Sequence, residues 1–74
     1  MKAILTKYLG PTNFKGSRIK ASEPDGKSVT LSWNHALDAP VNHFIAAKAL
    51  QDKMQWKGEL IQGWLKEGYV HVFK

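Results

Sequence analysis

Cysteine is absent from the 74-residue sequence. That excludes disulfides and thiolate metal sites, and it suits a reducing compartment. Long hydrophobic runs are also missing. The N-terminal stretch MKAILTKYLG has Ala3, Ile4 and Leu5 as its only continuous apolar run. This is too short for a signal-peptide core and far too short to cross a bilayer. The chain is therefore expected to be mature as it stands, soluble and cytoplasmic, with no membrane partner. Acid is absent from residues 1–22, which hold Lys2, Lys7, Lys15, Arg18 and Lys20. Residues 23–74 carry six cations and six acids, so the whole net charge of +5 belongs to the N-terminal segment. A one-ended excess can form a patch where an even sprinkle cannot. The pI of about 9.7 fits the electrostatic footprint of a nucleic-acid binder.

What is present divides the chain at three places. The first is SEPDGKS, a proline-aspartate-glycine turn between two alternating runs. Pro24 presets one turn dihedral, and Gly26 can take the left-handed conformation that closes the turn. With Pro24, Asp25 and Gly26 as the loop, Glu23 faces Lys27. Ala21 then faces Val29, Lys20 faces Thr30, Ile19 faces Leu31 and Arg18 faces Ser32. One face becomes Ile19, Ala21, Val29, Leu31 and Trp33. The other becomes Arg18, Lys20, Ser28, Thr30 and Ser32. A one-residue slip would mix the two sets, so the pattern specifies this hairpin.

The second place is LDAP. Asp38 is a good helix N-cap and Pro40 fits the first turn. The spacing predicts a helix from Ala39 to Trp56, stopped near Gly58. His43, Ala46, Ala47, Leu50 and Met54 form its apolar side, widened by Ile45, Ala49 and Trp56. Lys48, Gln51, Asp52 and Gln55 form its wet side.

The third place is LKEGY, which repeats the first turn's chemistry. A loop of Lys66, Glu67 and Gly68 would set Leu65 against Tyr69, Trp64 against Val70 and Ile61 against Phe73. Both faces of that hairpin are apolar, so its second face needs cover from the N-terminal strand or from another subunit. Residues 2–8 read as a further strand. The result is one domain over residues 1–74, of the α+β class. A mostly antiparallel sheet of four to five strands carries one packed helix, in the order βββαββ. At this size the core is thin and the stability margin small.

The stretch TKYLGPTNFKGSRIKA, residues 6–21, holds four cations, two glycines, a proline and several small polar side chains. Glycine-rich backbone lets amides point at an anion, and clustered cations supply charge. Lys7, Lys15, Arg18 and Lys20 are the candidate phosphate contacts. Tyr8, Thr12, Asn13 and Ser17 line the loop, and Tyr8 or Phe14 could stack on bases. The competing reading is a surface loop feeding a strand with a solvated basic face. No Walker, Rossmann or RNP-type motif is present. His35, His43 and His71 match no zinc spacing, and no nucleophile–base pair is visible, so no metal, cofactor or catalytic residue is expected. Trp33 and Trp56 read as core. Trp64, with Tyr69 and Phe73, is the candidate protein interface, and a homodimer is expected there.

Taken with a helix containing AAKAL and the ending GYVHVF, residues 6–21 resemble small uncharacterised proteins of bacteriophages and other bacterial mobile elements. The likeness covers nearly the full chain. It is carried by Thr6, Tyr8, Thr12, Asn13, Gly16, Ser17, Arg18, Ile19 and Ala21, and by Gly68, Tyr69, Val70 and Phe73. A looser likeness, in size and element order, is to phage anti-CRISPR proteins, which act by occupying a partner's surface. Two functions are therefore expected in competition. One is a nucleic-acid-binding (DNA or RNA) accessory protein of a mobile element. The other is a protein-binding inhibitor or adaptor that docks on a host protein, using either the C-terminal hairpin or the basic loop against an acidic partner.

Overall fold

The computed structural model describes residues 3–13, 16–65 and 68–73. Strands β1 (Ala3–Leu9), β2 (Arg18–Ser22) and β3 (Ser28–Ser32) precede helix α1 (Ala39–Met54), and strands β4 (Leu60–Leu65) and β5 (Gly68–Phe73) follow it. The strands form one antiparallel sheet in the order β3-β2-β1-β5-β4. The N-terminal strand is thus the centre of the sheet. It lies beside the C-terminal hairpin rather than over it, so it does not supply the cover expected for the hairpin's second face.

The first hairpin has the predicted register, with Arg18 opposite Ser32, Ile19 opposite Leu31, Lys20 opposite Thr30 and Ala21 opposite Val29. Its turn closes through Gly26 at φ 96°. The Gly26 N–H donates to the Glu23 carbonyl, and the Glu23 N–H to the Lys27 carbonyl.

The second hairpin differs from expectation by one residue. Leu65 faces Gly68, Trp64 faces Tyr69, Ile61 faces Val72 and Leu60 faces Phe73. Its faces are apolar on both sides, so a slip carries no burial penalty that the pattern could reveal. The decisive contact lies on another strand. A Cβ on Gly68 would stand 2.2 Å from the Thr6 carbonyl oxygen of β1. Glycine is therefore required where β5 begins against β1. The turn residues Lys66 and Glu67 lie outside the described residues.

Helix α1 lies chiefly over β2, with β1 and β3 beneath its flanks, and only touches β5. Ile4, Ile19, Ala21, Ala46, Ala47, Leu50 and Leu60 form the core beneath it. The small Ala46 and Ala47 face Ile4, Ile19 and Ala21 and let helix and sheet approach closely. The N-terminus uses an unforeseen device. Asp38 occupies the N-cap position with extended backbone, but its side chain makes no capping hydrogen bond. Buried Asn42 does the fastening instead. Its Nδ2 donates to the carbonyls of Asn34, Leu37 and Asp38, and its Oδ1 accepts the Asn34 N–H at 2.9 Å.

The helix stops two residues sooner than predicted, at Met54, because Gln55 turns left-handed (φ 57°, ψ 33°). Gln51, expected on the wet side, is buried. Its Nε2 donates to the carbonyls of Trp56 and Gly58 and ties the outgoing chain to the helix. A buried amide that serves backbone carbonyls reads in sequence like any polar surface residue.

Two histidines sit in this interior. His43 Nδ1 lies 2.7 Å from Thr6 Oγ1. His71 is fully buried beneath the helix, with Nε2 against Gln62 Oε1 and Nδ1 3.3 Å from the Ile4 carbonyl. A neutral ring donates to only one of these two acceptors. Burial lowers the pKa of His43 below 6.5, and the hydrogen bond at Thr6 opposes it only in part. Burial likewise lowers His71, with the Ile4 carbonyl acting upward and His43 adding a downward push.

A depressed folded pKa means the unfolded chain takes up protons first as pH falls through 6.5. Stability is therefore full above that value and lost below it. The urea midpoint is expected to fall between about pH 7 and pH 5, and a His71→Gln variant should show a flatter dependence over that window. An unchanged midpoint across the window would show that neither ring is held neutral by the fold.

Candidate nucleic-acid interface

Strand alternation sends side chains to opposite faces of the sheet. The helix side takes Ile4, Thr6 and Tyr8 from β1 and Ile19 and Ala21 from β2. The open side takes Leu5, Lys7 and Leu9 from β1, Arg18, Lys20 and Ser22 from β2, and Ser28, Thr30 and Ser32 from β3. The register sets Lys7 directly opposite Lys20 and Leu9 opposite Arg18. Arg18 is therefore diagonal to Lys7, about 7–8 Å away between backbones. Lys20 in turn faces Thr30, and Arg18 faces Ser32. Among the described residues of this open face there is no Asp or Glu. Like charges directly opposite on a strand pair repel, and no acid among the described residues of the face neutralises them. Arg18 Nε is buried without a hydrogen-bond partner.

The structure divides the other sequence candidates. Tyr8 is on the helix side. Its hydroxyl is 2.9 Å from Ser17 Oγ, and its ring stands edge-on to Trp33 at 4.9 Å. Tyr8 and Ser17 thus brace the start of β2 against β1 on the face away from the cations. Tyr8 cannot stack on a base held by Lys7 and Lys20. Thr12 and Asn13 are exposed in the β1–β2 connection. Lys15, and Phe14 beside it, lie outside the described residues.

Of the proposed protein contacts, Tyr69 packs on His43 with centroids 4.2 Å apart, and Phe73 packs on the core and on Trp56. Both are half-buried and serve the fold. Trp64 is 84% exposed on the β4 edge strand.

The Lys7–Lys20 juxtaposition was not foreseen from sequence. It follows from β1 pairing with β2, and the signal for it was the alternation of Lys7 with Leu5 and Leu9. The open face also has a second half, the uncovered apolar face expected of the C-terminal hairpin, now joined by Leu5 of β1. Leu5 and Ile61, with Leu65, Val70 and Val72, make an apolar field continuous with the basic one. Among the described residues no cleft and no cluster of three metal-ligating side chains is found. No described helix is long and apolar enough to cross a membrane. No family model, curated protein or solved structure matches the chain.

Proposed function

We propose that the protein binds nucleic acid through its phosphate backbone, as an accessory protein of a phage or other mobile element. The observation that carries this reading is the opposed pair Lys7 and Lys20, with Arg18 diagonal to it, on a strand face with no acid among its described residues. A row of phosphates relieves their mutual repulsion, and the hydroxyls of Ser28, Thr30 and Ser32 beside them can donate to phosphate oxygens. No aromatic side chain shares the described part of that face, so base stacking is not the mode. Backbone neutralisation on a duplex fits the surface better than the splayed bases of a single strand. The mobile-element setting rests on the sequence resemblance alone.

The test is fluorescence anisotropy with single- and double-stranded DNA and RNA across a salt series. Wild type is run beside a Lys7→Ala, Arg18→Ala, Lys20→Ala variant shown to be folded. Each duplex phosphate neutralised contributes about 0.9 to the slope of log K against log salt. The triple variant should therefore be shallower by about 2–3 units and bind weakly at physiological salt. No binding by wild type at moderate salt, or equal slopes, would sink the reading.

A second reading, a protein-binding inhibitor or adaptor, is favoured by one observation, the exposure of Trp64. It predicts that Trp64→Ala loses a host partner while the triple charge variant keeps it. Self-association through the same hairpin competes with that reading.

A further inference from the structure

We infer that a second copy of the chain pairs with the β4 edge, forming a twofold dimer whose two sheets join into one of ten strands. β4 ends the sheet, so one row of its backbone N–H and C=O groups has no strand partner. Proteins that stay monomeric guard such an edge with lysine, proline or a bulge. The six residues of β4, Leu-Ile-Gln-Gly-Trp-Leu, contain no charge and no proline. Three of them are heavily exposed, with Ile61 and Leu65 on the open side and Trp64 on the helix side. The other edge, β3, carries three hydroxyl residues and is crossed by Lys53, whose Nζ donates to the Ser28 carbonyl.

The occupant is a copy of β4 because the strand is complementary to itself. Directly opposed residues in an antiparallel pair share a face. A symmetric pairing must therefore be centred on a residue, not between two. Centring on Gly63 sets Ile61 against Leu65 of the partner subunit twice on the open side. It sets Trp64 against Gln62 of the partner subunit twice on the helix side. Gln62 is bonded to the Pro40 carbonyl and to His71, beside which Phe44 lies. Each Trp64 is thereby brought to the partner's exposed helix flank, formed by Val41, Phe44 and Ile45.

Charge does not oppose the assembly. The nearest basic strands, the two β1 strands with Lys7, would stand five strand spacings apart, about 24 Å. That is several Debye lengths at physiological salt. Pairing along a single six-residue edge strand makes a small interface, so the dimer is expected to be reversible and concentration-dependent. It uses none of Lys7, Arg18 or Lys20 and stands independently of the phosphate reading.

The absence of cysteine makes the test clean. Single-cysteine variants Ile61→Cys, Gly63→Cys and Leu65→Cys are made and incubated with a mild oxidant at matched concentration. Only Gly63 meets its own copy, within the roughly 4.4–6.8 Å Cα separation that a disulfide spans. A Cβ there meets only Val70 Cγ1, at 3.6 Å, so the substitution fits. Gly63→Cys is expected to cross-link at least tenfold faster than the other two. Sedimentation of the wild type should show concentration-dependent dimer, and Trp64→Glu should leave monomer with an unchanged circular dichroism spectrum. A wild-type monomer at several hundred micromolar, or equal cross-linking at all three positions, overturns the proposal. So does a dimer that survives Trp64→Glu.

Discussion

Gly68→Ala is expected to remove a large part of the protein's stability at 25 °C. The added Cβ would stand 2.2 Å from the Thr6 carbonyl oxygen and 3.4 Å from its carbon. Both are backbone atoms in the central strand, so no side chain can rotate away. Relief requires β5 to move off β1, and with it Thr6 opposite Tyr69 and Ile4 opposite His71. Overpacking in a rigid setting costs about 1–3 kcal/mol and occasionally more. A domain of this size has only about 3–5 kcal/mol in hand. The control is Gly63→Ala on the neighbouring strand. Its Cβ meets Val70 at ordinary contact distance, and the expected change is within about 1 kcal/mol. The check is the urea midpoint of both variants beside wild type. Equal midpoints for Gly68→Ala and wild type would mean that β5 does not start against β1 as described.

Asn42→Ala should be damaging on the same scale, at about 2–4 kcal/mol. Asn42 is 3% exposed and serves four backbone groups from one side chain. Its two amide hydrogens are shared among the carbonyls of Asn34, Leu37 and Asp38, and its oxygen takes the Asn34 N–H. Alanine leaves these groups partly buried without partners and frees the β3–α1 connection. Asn42→Asp should be worse still at neutral pH, since a carboxylate would face three carbonyl oxygens. Asn34→Ala is the comparison. It loses an exposed turn bond to the Ala36 N–H and is expected to cost less than about 1 kcal/mol. Denaturant titration ranks the three. An Asn42→Ala midpoint no lower than that of Asn34→Ala would show that the connection is held by other contacts.

The two hairpins show why some of the architecture was legible in the sequence. In β2 and β3 every apolar residue matched an apolar partner and every polar residue a polar one. Register, face and turn all followed from the chain alone. In β4 and β5 both faces were apolar, the pattern was degenerate, and the predicted register was one residue off. The information that resolves it is carried by a third strand, through the closeness of Gly68 to Thr6. Asn42 and Gln51 were missed for a related reason. Each is a polar residue turned inward to satisfy carbonyls at a helix end, and helical periodicity cannot distinguish that from solvation. Within the candidate site, the grouping of Arg18 and Lys20 with the three hydroxyl residues was visible in the hairpin pattern. Tyr8 was assigned to the cations by proximity in sequence, and the alternation of β1 puts it on the other face.

The central place of β1 also shapes how the chain folds. β1, β2, β3 and α1 are consecutive, and their partners lie nearer in sequence than those of the last seam. The seam between β1 and β5 joins residues some 63 positions apart, as the Thr6–Tyr69 contact shows. Closing so long a loop has an entropic cost that short-range contacts avoid. The C-terminal hairpin is therefore expected to dock late, onto a three-stranded unit that the helix already covers. Until it docks, the inner edge of β1 is a vacant template for any extended chain nearby. The close approach of Gly68 to Thr6 governs how well that seam closes, so a weakened seam is expected to add strand exchange between molecules to the loss of stability.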